Sequence, residues 1–193
     1  MGSHNMRIHT ADELWRFFDK NSLHGLYDNC FGDANFDPEY GGEQFEVEEV
    51  TSIFLNYIEN GILLLHLESE TSDVIGFAGA LPLNGEKGVC DAVKHRLHDP
   101  SVYWYHADIG VHSNARGKGV SKLILNEFLE LVPSNFIVMR ARSDNTTTIN
   151  LHKKYGFEFL CNIDGSKVTQ LVPLKRKSGQ MESDERIFLT LRK

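Results

Sequence analysis

The chain has 193 residues, of which 41% are hydrophobic and 24% charged, and its formal net charge is −7. That composition is long and apolar enough for a well-buried core, excludes a disordered chain, and with 27 acids against 20 bases argues against a nucleic-acid surface. No apolar run reaches the ~18 residues that cross a bilayer, and Cys30, Cys90 and Cys161 show no C-x-x-C pairing, so a cytoplasmic protein with reduced thiols and no membrane contact is expected.

In chain order, "MGSHN" ahead of Met6 reads as an expression-tag remnant (residues 1–5) and is set aside, leaving residues 6–193 as one domain without repeats or a Pro/Gly/Ser-rich linker. "RIHT" is a short first strand. Thr10 and Glu13 form a capping box for a helix over "ADELWRFFDK". Residues 21–42, rich in Gly, Asp and Asn, read as a loop. "EQFEVEEVTSIFLNYIEN" then places Val47, Val50, Phe54 and Ile58 at helical spacing and stops at Gly61. Two strands follow, "ILLLHLES" and "VIGFAGALPL", around the turn-prone "ETSD". Residues 84–101 form a longer connection with one or two helical turns.

"VYWYHADIGV" is a strand rich in aromatic and branched residues. After it comes "NARGKGVSKLIL", which sets three cations and two glycines before an apolar helix that ends at Pro133. "FIVMRAR" is a strand, "DNTTTINLHKKYG" a helix, and "FEFLCNI" and "RIFLTLRK" are the last strands. Strands and helices mixed in this order give an α/β class with a partly antiparallel sheet.

The basic stretch poses a chemical question. A phosphate loop of the G-x-x-x-x-G-K-[ST] type fails at Gly119 and His112, and a dinucleotide G-x-G-x-x-G fails at Lys122. The pattern [RQ]-x-x-G-x-[GA] fits Arg116 and Gly119, with Ser121 at the last position. Amides at a helix start bind pyrophosphate through their N–H groups and the helix dipole, and no acid lies between Asp108 and Glu127. On these residues alone, a basic surface turn that caps a core helix is an equal reading.

Together with the Asn-headed "DNTTTINLHKKYGF" about thirty residues on, the order of elements resembles the GNAT superfamily, the GCN5-related N-acetyltransferases. The resemblance covers about Val102 to Ile163. It implies a mixed, mostly antiparallel central sheet of six to seven strands with helices on both faces, and acetyl-coenzyme A as co-substrate with no metal. The implied reaction moves an acetyl group to a primary amine, either on a small molecule or on a protein. A second copy of the chain is admitted as a partner. The rival reading is a catalytically silent coenzyme A-binding sensor or interaction module.

Residue by residue, the resemblance implies that the cofactor meets Arg116, Gly117, Lys118, Gly119, Val120, Ser121 and Lys122. It adds the backbone of Ile109 and Val111 and the side chain of Asn145, which also suits a helix cap. His152 stands where the family often has the Tyr that protonates the leaving thiolate, and Tyr155 is the reserve. Tyr105 and Arg140 match acceptor-side positions where relatives carry a base, and neither can serve as one here. His106 and Asp108 neighbour the first of these. Gly110 reads as a strand bulge.

Overall fold

The structure, a computed structural model, describes residues 3–32 and 42–193. Its packing divides into two compact units. The first takes Met1–Gly79, Asp108–Leu131 and Leu174–Glu182, and the second Ala80–Ala107, Val132–Pro173 and Ser183–Lys193.

In the first unit, β1 (Ser3–Ile8) pairs antiparallel with β2 (Ile62–Glu68), and β2 neighbours β3 (Val74–Pro82). β1 begins inside the segment set aside as a tag remnant, so Ser3, His4 and Asn5 take part in the fold. Ser3 Oγ and Asn5 Oδ1 both meet the His66 ring, and Asn5 Nδ2 donates to Glu127. β2 is buried along nearly all its length, which suits the apolar run "ILLL" and Leu67, with His66 the one polar residue among them.

The expected first helix is short. α1 covers Ala11–Leu14, held by the Thr10–Glu13 capping box. Much of the expected loop is instead helical: α2 (Lys20–Tyr27) starts at Asp19, whose carboxylate accepts from the amides of Asn21 and Ser22, and a π-helical turn, Asp28–Gly32, follows. Asp-x-x-Ser is a start signal that the surrounding Gly and Asn obscure. The rest of that loop, residues 33–41, lies outside the described residues. α3 (Val47–Asn60) buries Val50, Phe54 and Tyr57, and the rings of Tyr27, Phe54 and Phe77 meet in the core.

The second unit contains α4 (Lys87–Val93), the first part of β4 (Tyr103–Val111), and β5 (Phe136–Arg142). β4 and β5 are parallel from Tyr103↔Phe136 to His106↔Met139. α6 (Thr146–Lys153) leads to β6 (Glu158–Phe159). β8 (Met181–Arg192) lies antiparallel to both β5 and β6, and β7 (Thr169–Lys175), which the sequence reading left out, pairs with β8. Pro173 inside "TQLVPLK" masks that strand, as Pro belongs at sheet edges. Among the described residues eight strands therefore stand where six to seven were expected, in a mixed, mostly antiparallel arrangement. The core of this unit gathers Leu83, Val89, Tyr105, Val138, Leu160 and Phe188.

The last part of β4 returns to the first unit and continues into the basic loop and α5 (Val120–Leu131). No helix among the described residues is long and apolar enough to cross a membrane.

Candidate active site

The basic loop is built for its backbone. Gly117 has φ of +76° and Gly119 φ of +83°, a region that side chains with a Cβ rarely enter, and open space surrounds both Cα atoms. Two left-handed glycines around Lys118 turn successive N–H groups outward at the start of α5. None of the amides of Gly117 to Ser121 makes a hydrogen bond of normal geometry with another described residue. The helix ladder resumes at Lys122 and Leu123, whose amides donate to the Gly119 carbonyl. Lys118 is exposed and forms no ion pair among the described residues. Outward amides, a helix dipole and local positive charge fit a pyrophosphate.

Arg116 does other work. Its Nε donates to the Val111 carbonyl at 3.1 Å, and Nη2 donates to the carbonyls of Asn29 at 2.8 Å and Cys30 at 3.5 Å. The guanidinium thus fastens the loop to the end of β4 and to the π-turn, where the sequence reading had it beside phosphates. Asn29 reinforces the same joint: its Oδ1 accepts from the Ser113 amide at 2.7 Å. Gly110 sits inside β4, and a Cβ there would lie 2.6 Å from the Phe77 ring and 2.9 Å from Cys30 Sγ. Close packing, more than a bulge, accounts for that glycine.

Ile109 and Val111 are half-buried on the same strand. Between them in sequence position and Ala107 stands Asp108, whose Oδ2 accepts from Tyr57 Oη at 2.5 Å and Tyr27 Oη at 3.2 Å. Burial and the Asp108 charge push the Tyr27 phenol well above its ordinary range. Neither tyrosine stood out in the sequence, because each reaches Asp108 from a distant helix with no local spacing to betray it.

In the second unit, Asn145 caps α6, its Oδ1 accepting from the Thr148 amide at 3.0 Å. His152 is fully buried. Its Nδ1 lies 2.8 Å from the Thr148 carbonyl, an acceptor only, so Nδ1 carries the proton. Nε2 lies 3.3 Å from Nδ1 of the equally buried His106, and must therefore accept. The Phe157 ring closes the site edge-on at 5.1 Å. Burial holds the His152 imidazole below its ordinary range, against the opposing pull of the Thr148 carbonyl. A neutral ring with no proton on Nε2 is poorly set to donate to a thiolate, which is the role the resemblance implied. Tyr155, just past the helix, is half-exposed.

Tyr105 lies in the core cluster with Val138 and Phe188 and is 5% exposed, so its ring packs inward in place of facing an acceptor. Arg140 is half-buried on β5, and its Nη1 donates to Gln170 Oε1 at 2.9 Å.

The His152 environment predicts a pH dependence of stability. The folded imidazole resists protonation, whereas the unfolded one titrates near 6.5. The stabilisation is complete above pH ~6.5 and declines as pH falls below it, when the unfolded chain takes up a proton that the folded one refuses. His66, also lowered by burial, acts in the same direction. Urea unfolding between pH 5 and 8 should show this decline, and His152→Phe should flatten it. An unchanged slope in that variant would mean that His152 titrates normally.

Comparison with known proteins bears on the family and the fold. A family model described as the acetyltransferase (GNAT) family matches residues 21–157. The protein ML0378 of Mycobacterium leprae (strain TN), described as uncharacterized, is 30% identical over 94 residues, or 48% of this chain. That match spans 23% of the relative, so the chain covers about a quarter of the curated protein it resembles. Among solved structures, the ribosomal-protein-alanine N-acetyltransferase from Brucella melitensis is 18% identical with a TM-score of 0.61, covering 97% of this chain and 99% of that one. NAA60 from Arabidopsis thaliana, solved in complex with acetyl-CoA, is 15% identical with a TM-score of 0.62, covering 99% and 98%. At such identities the likeness is one of fold. With the family model spanning well over half of its length, the chain belongs to the GNAT acetyltransferase family.

Proposed function

We propose that the protein is an acetyl-CoA-dependent N-acetyltransferase. The observation that carries this reading is the row of amides from Gly117 to Ser121, turned outward by two left-handed glycines and unused within the described residues. They would hold the cofactor pyrophosphate, with Lys118 and Lys122 adding charge and Ser121 a hydroxyl. The Val111 amide would face the thioester oxygen, and Asn145 the cofactor arm through the amide nitrogen its capping role leaves over.

In the reaction, a neutral amine attacks the thioester carbon to form the carbon–nitrogen bond and gives up one proton to water, while the carbon–sulfur bond breaks and the thiolate leaves with the electron pair and takes a proton. Developing charge on the carbonyl oxygen is what an aimed backbone N–H stabilises. We assign the proton to the Tyr155 hydroxyl, since its side chain is half-exposed and His152 is neutral, buried and bonded at both nitrogens. His152 then acts as a positioning residue that fixes α6 and the His106 ring.

Thiol release from acetyl-CoA, measured across amines, amino acids and short peptides, tests the reading. Turnover with at least one amine is expected. Tight acetyl-CoA binding with no release across the whole panel would favour the silent sensor.

A further inference from the structure

One chain of hydrogen bonds in the first unit has no part in the acetyl-transfer reading. Ser3 and Asn5 are two apart on β1 and share a face, and the register pair Asn5↔His66 puts the His66 ring on that face too. Asn5 Nδ2 donates to Glu127 Oε2 at 2.8 Å and to the Leu123 carbonyl at 3.1 Å. A carbonyl and an ionised carboxylate only accept, so the amide nitrogen belongs on that side. Oδ1 is then the atom that meets His66 Nδ1, at 2.5 Å. An amide oxygen also only accepts, so Nδ1 carries the imidazole proton. Nε2 is left with its lone pair toward Ser3 Oγ at 3.0 Å, and the hydroxyl donates to it.

That order of groups has a chemical meaning. A serine hydroxyl is a weak nucleophile until a neighbouring base takes its proton, and the base needs a third group to fix its tautomer. Here Ser3 is exposed, whereas His66 is 1% exposed. Burial holds the ring below its ordinary range, which leaves it neutral and basic at pH 7. His4 and Glu127 are the titratable groups beside it, with opposite effects. A cavity of about 640 Å³ adjoins the serine, with Leu123 and Leu131 on an apolar side and Glu127 and Glu130 on an acidic one.

We propose that Ser3, His66 and Asn5 form a second active site, which hydrolyses short-chain esters of uncharged or cationic alcohols. The leucines suit the acyl chain, and the glutamates repel a substrate that carries a carboxylate or phosphate. Ser3 Oγ bonds to the ester carbonyl carbon and its proton passes to His66 Nε2. The carbon–oxygen bond to the alcohol then breaks, and the alcohol leaves with that proton. Water attacks the acyl-serine through the same base, which returns the proton to Ser3 Oγ as the acid departs. The Asn126 side-chain amide, which lines the same cavity, is the donor available to the oxyanion. Asn5 and Glu127 are positioning residues. The assignment makes Ser3 and Asn5 working residues where the sequence reading saw a remnant, and it does not depend on the transferase reading.

Hydrolysis of 4-nitrophenyl acetate without acetyl-CoA tests the site. The wild type should release nitrophenolate ~100-fold or more faster than Ser3→Ala, whose exposed position keeps the fold intact. A fluorophosphonate probe should label Ser3, as located by mass spectrometry of the digested protein. Mono-4-nitrophenyl succinate, which bears a carboxylate, should react ~10-fold or more slowly than the acetate. Asn5→Asp should move the midpoint of the pH–rate profile upward, because a carboxylate beside Nδ1 favours the imidazolium; a purely structural contact would leave the midpoint in place. Thiol release from acetyl-CoA should be the same in Ser3→Ala and wild type, so the two readings fail separately. Equal nitrophenolate release by wild type and Ser3→Ala would overturn the proposal, as would a probe that labels another residue or none. Equal rates with acetate and succinate would overturn the substrate class.

Discussion

Acetyl-CoA should raise the melting temperature of the wild-type protein, and Gly119→Val should abolish that rise. At a concentration about 100 times its Kd, a ligand stabilises the folded state by about 2.7 kcal/mol. For a chain of this length that raises Tm by roughly 5–10 °C. Gly119 sits at φ of +83°, where a β-branched residue is strained, and its Cα opens onto free space beside the outward amides. A valine would therefore either tip the amides out of line or fill the space that a pyrophosphate needs. The ligand-free variant should lose only the backbone strain, about 1–3 kcal/mol. Differential scanning fluorimetry with and without acetyl-CoA reads both effects. A thermal shift equal to that of the wild type would remove the loop from the cofactor site.

The second large effect is kinetic. Tyr155→Phe deletes one hydroxyl and should lower kcat by about 10²–10⁴-fold, as expected for loss of a general acid, while the acetyl-CoA thermal shift persists. His152→Phe should behave in the opposite sense. It removes a ring bonded to the Thr148 carbonyl and His106, leaving both without that partner in a buried place, so its Tm should fall. Its kcat should stay within about tenfold of wild type, because the ring positions and does not donate. Stopped assays of both variants under saturating acetyl-CoA decide the matter. A collapse of turnover in His152→Phe with a fully active Tyr155→Phe would return the acid role to His152.

Much of this fold could be read from the chain because its signals were local. The apolar run of β2, the helical spacing of Val47, Val50, Phe54 and Ile58, and the Gly-Lys-Gly turn each declare themselves within a few residues. α2 escaped because its start rests on one aspartate amid Gly and Asn, and β7 because a proline interrupts it. The site divides in the same way. The loop glycines depend on backbone conformation, which composition predicts. The His106–His152 contact joins residues 46 positions apart, and the Tyr57–Asp108 contact joins residues 51 apart. No spacing rule links such partners. Arg116 shows the subtler failure: its charge suggested a ligand, yet three carbonyl oxygens in its own protein claim the guanidinium.

That engagement of Arg116 has a bearing on selectivity in a crowded solution. A chain of net charge −7 repels polyanions at long range, and a loop that relied on several free cations would have to offset this with a patch that attracts any of them. Peptide dipoles fade with distance faster than charges do, so a row of amides exerts little pull on passing nucleic acid or acidic protein. On the proposed reading it would act on a diphosphate that other contacts had already seated. Discrimination would then reside in fit at contact range, and the acidic exterior would serve as a filter against the wrong anions.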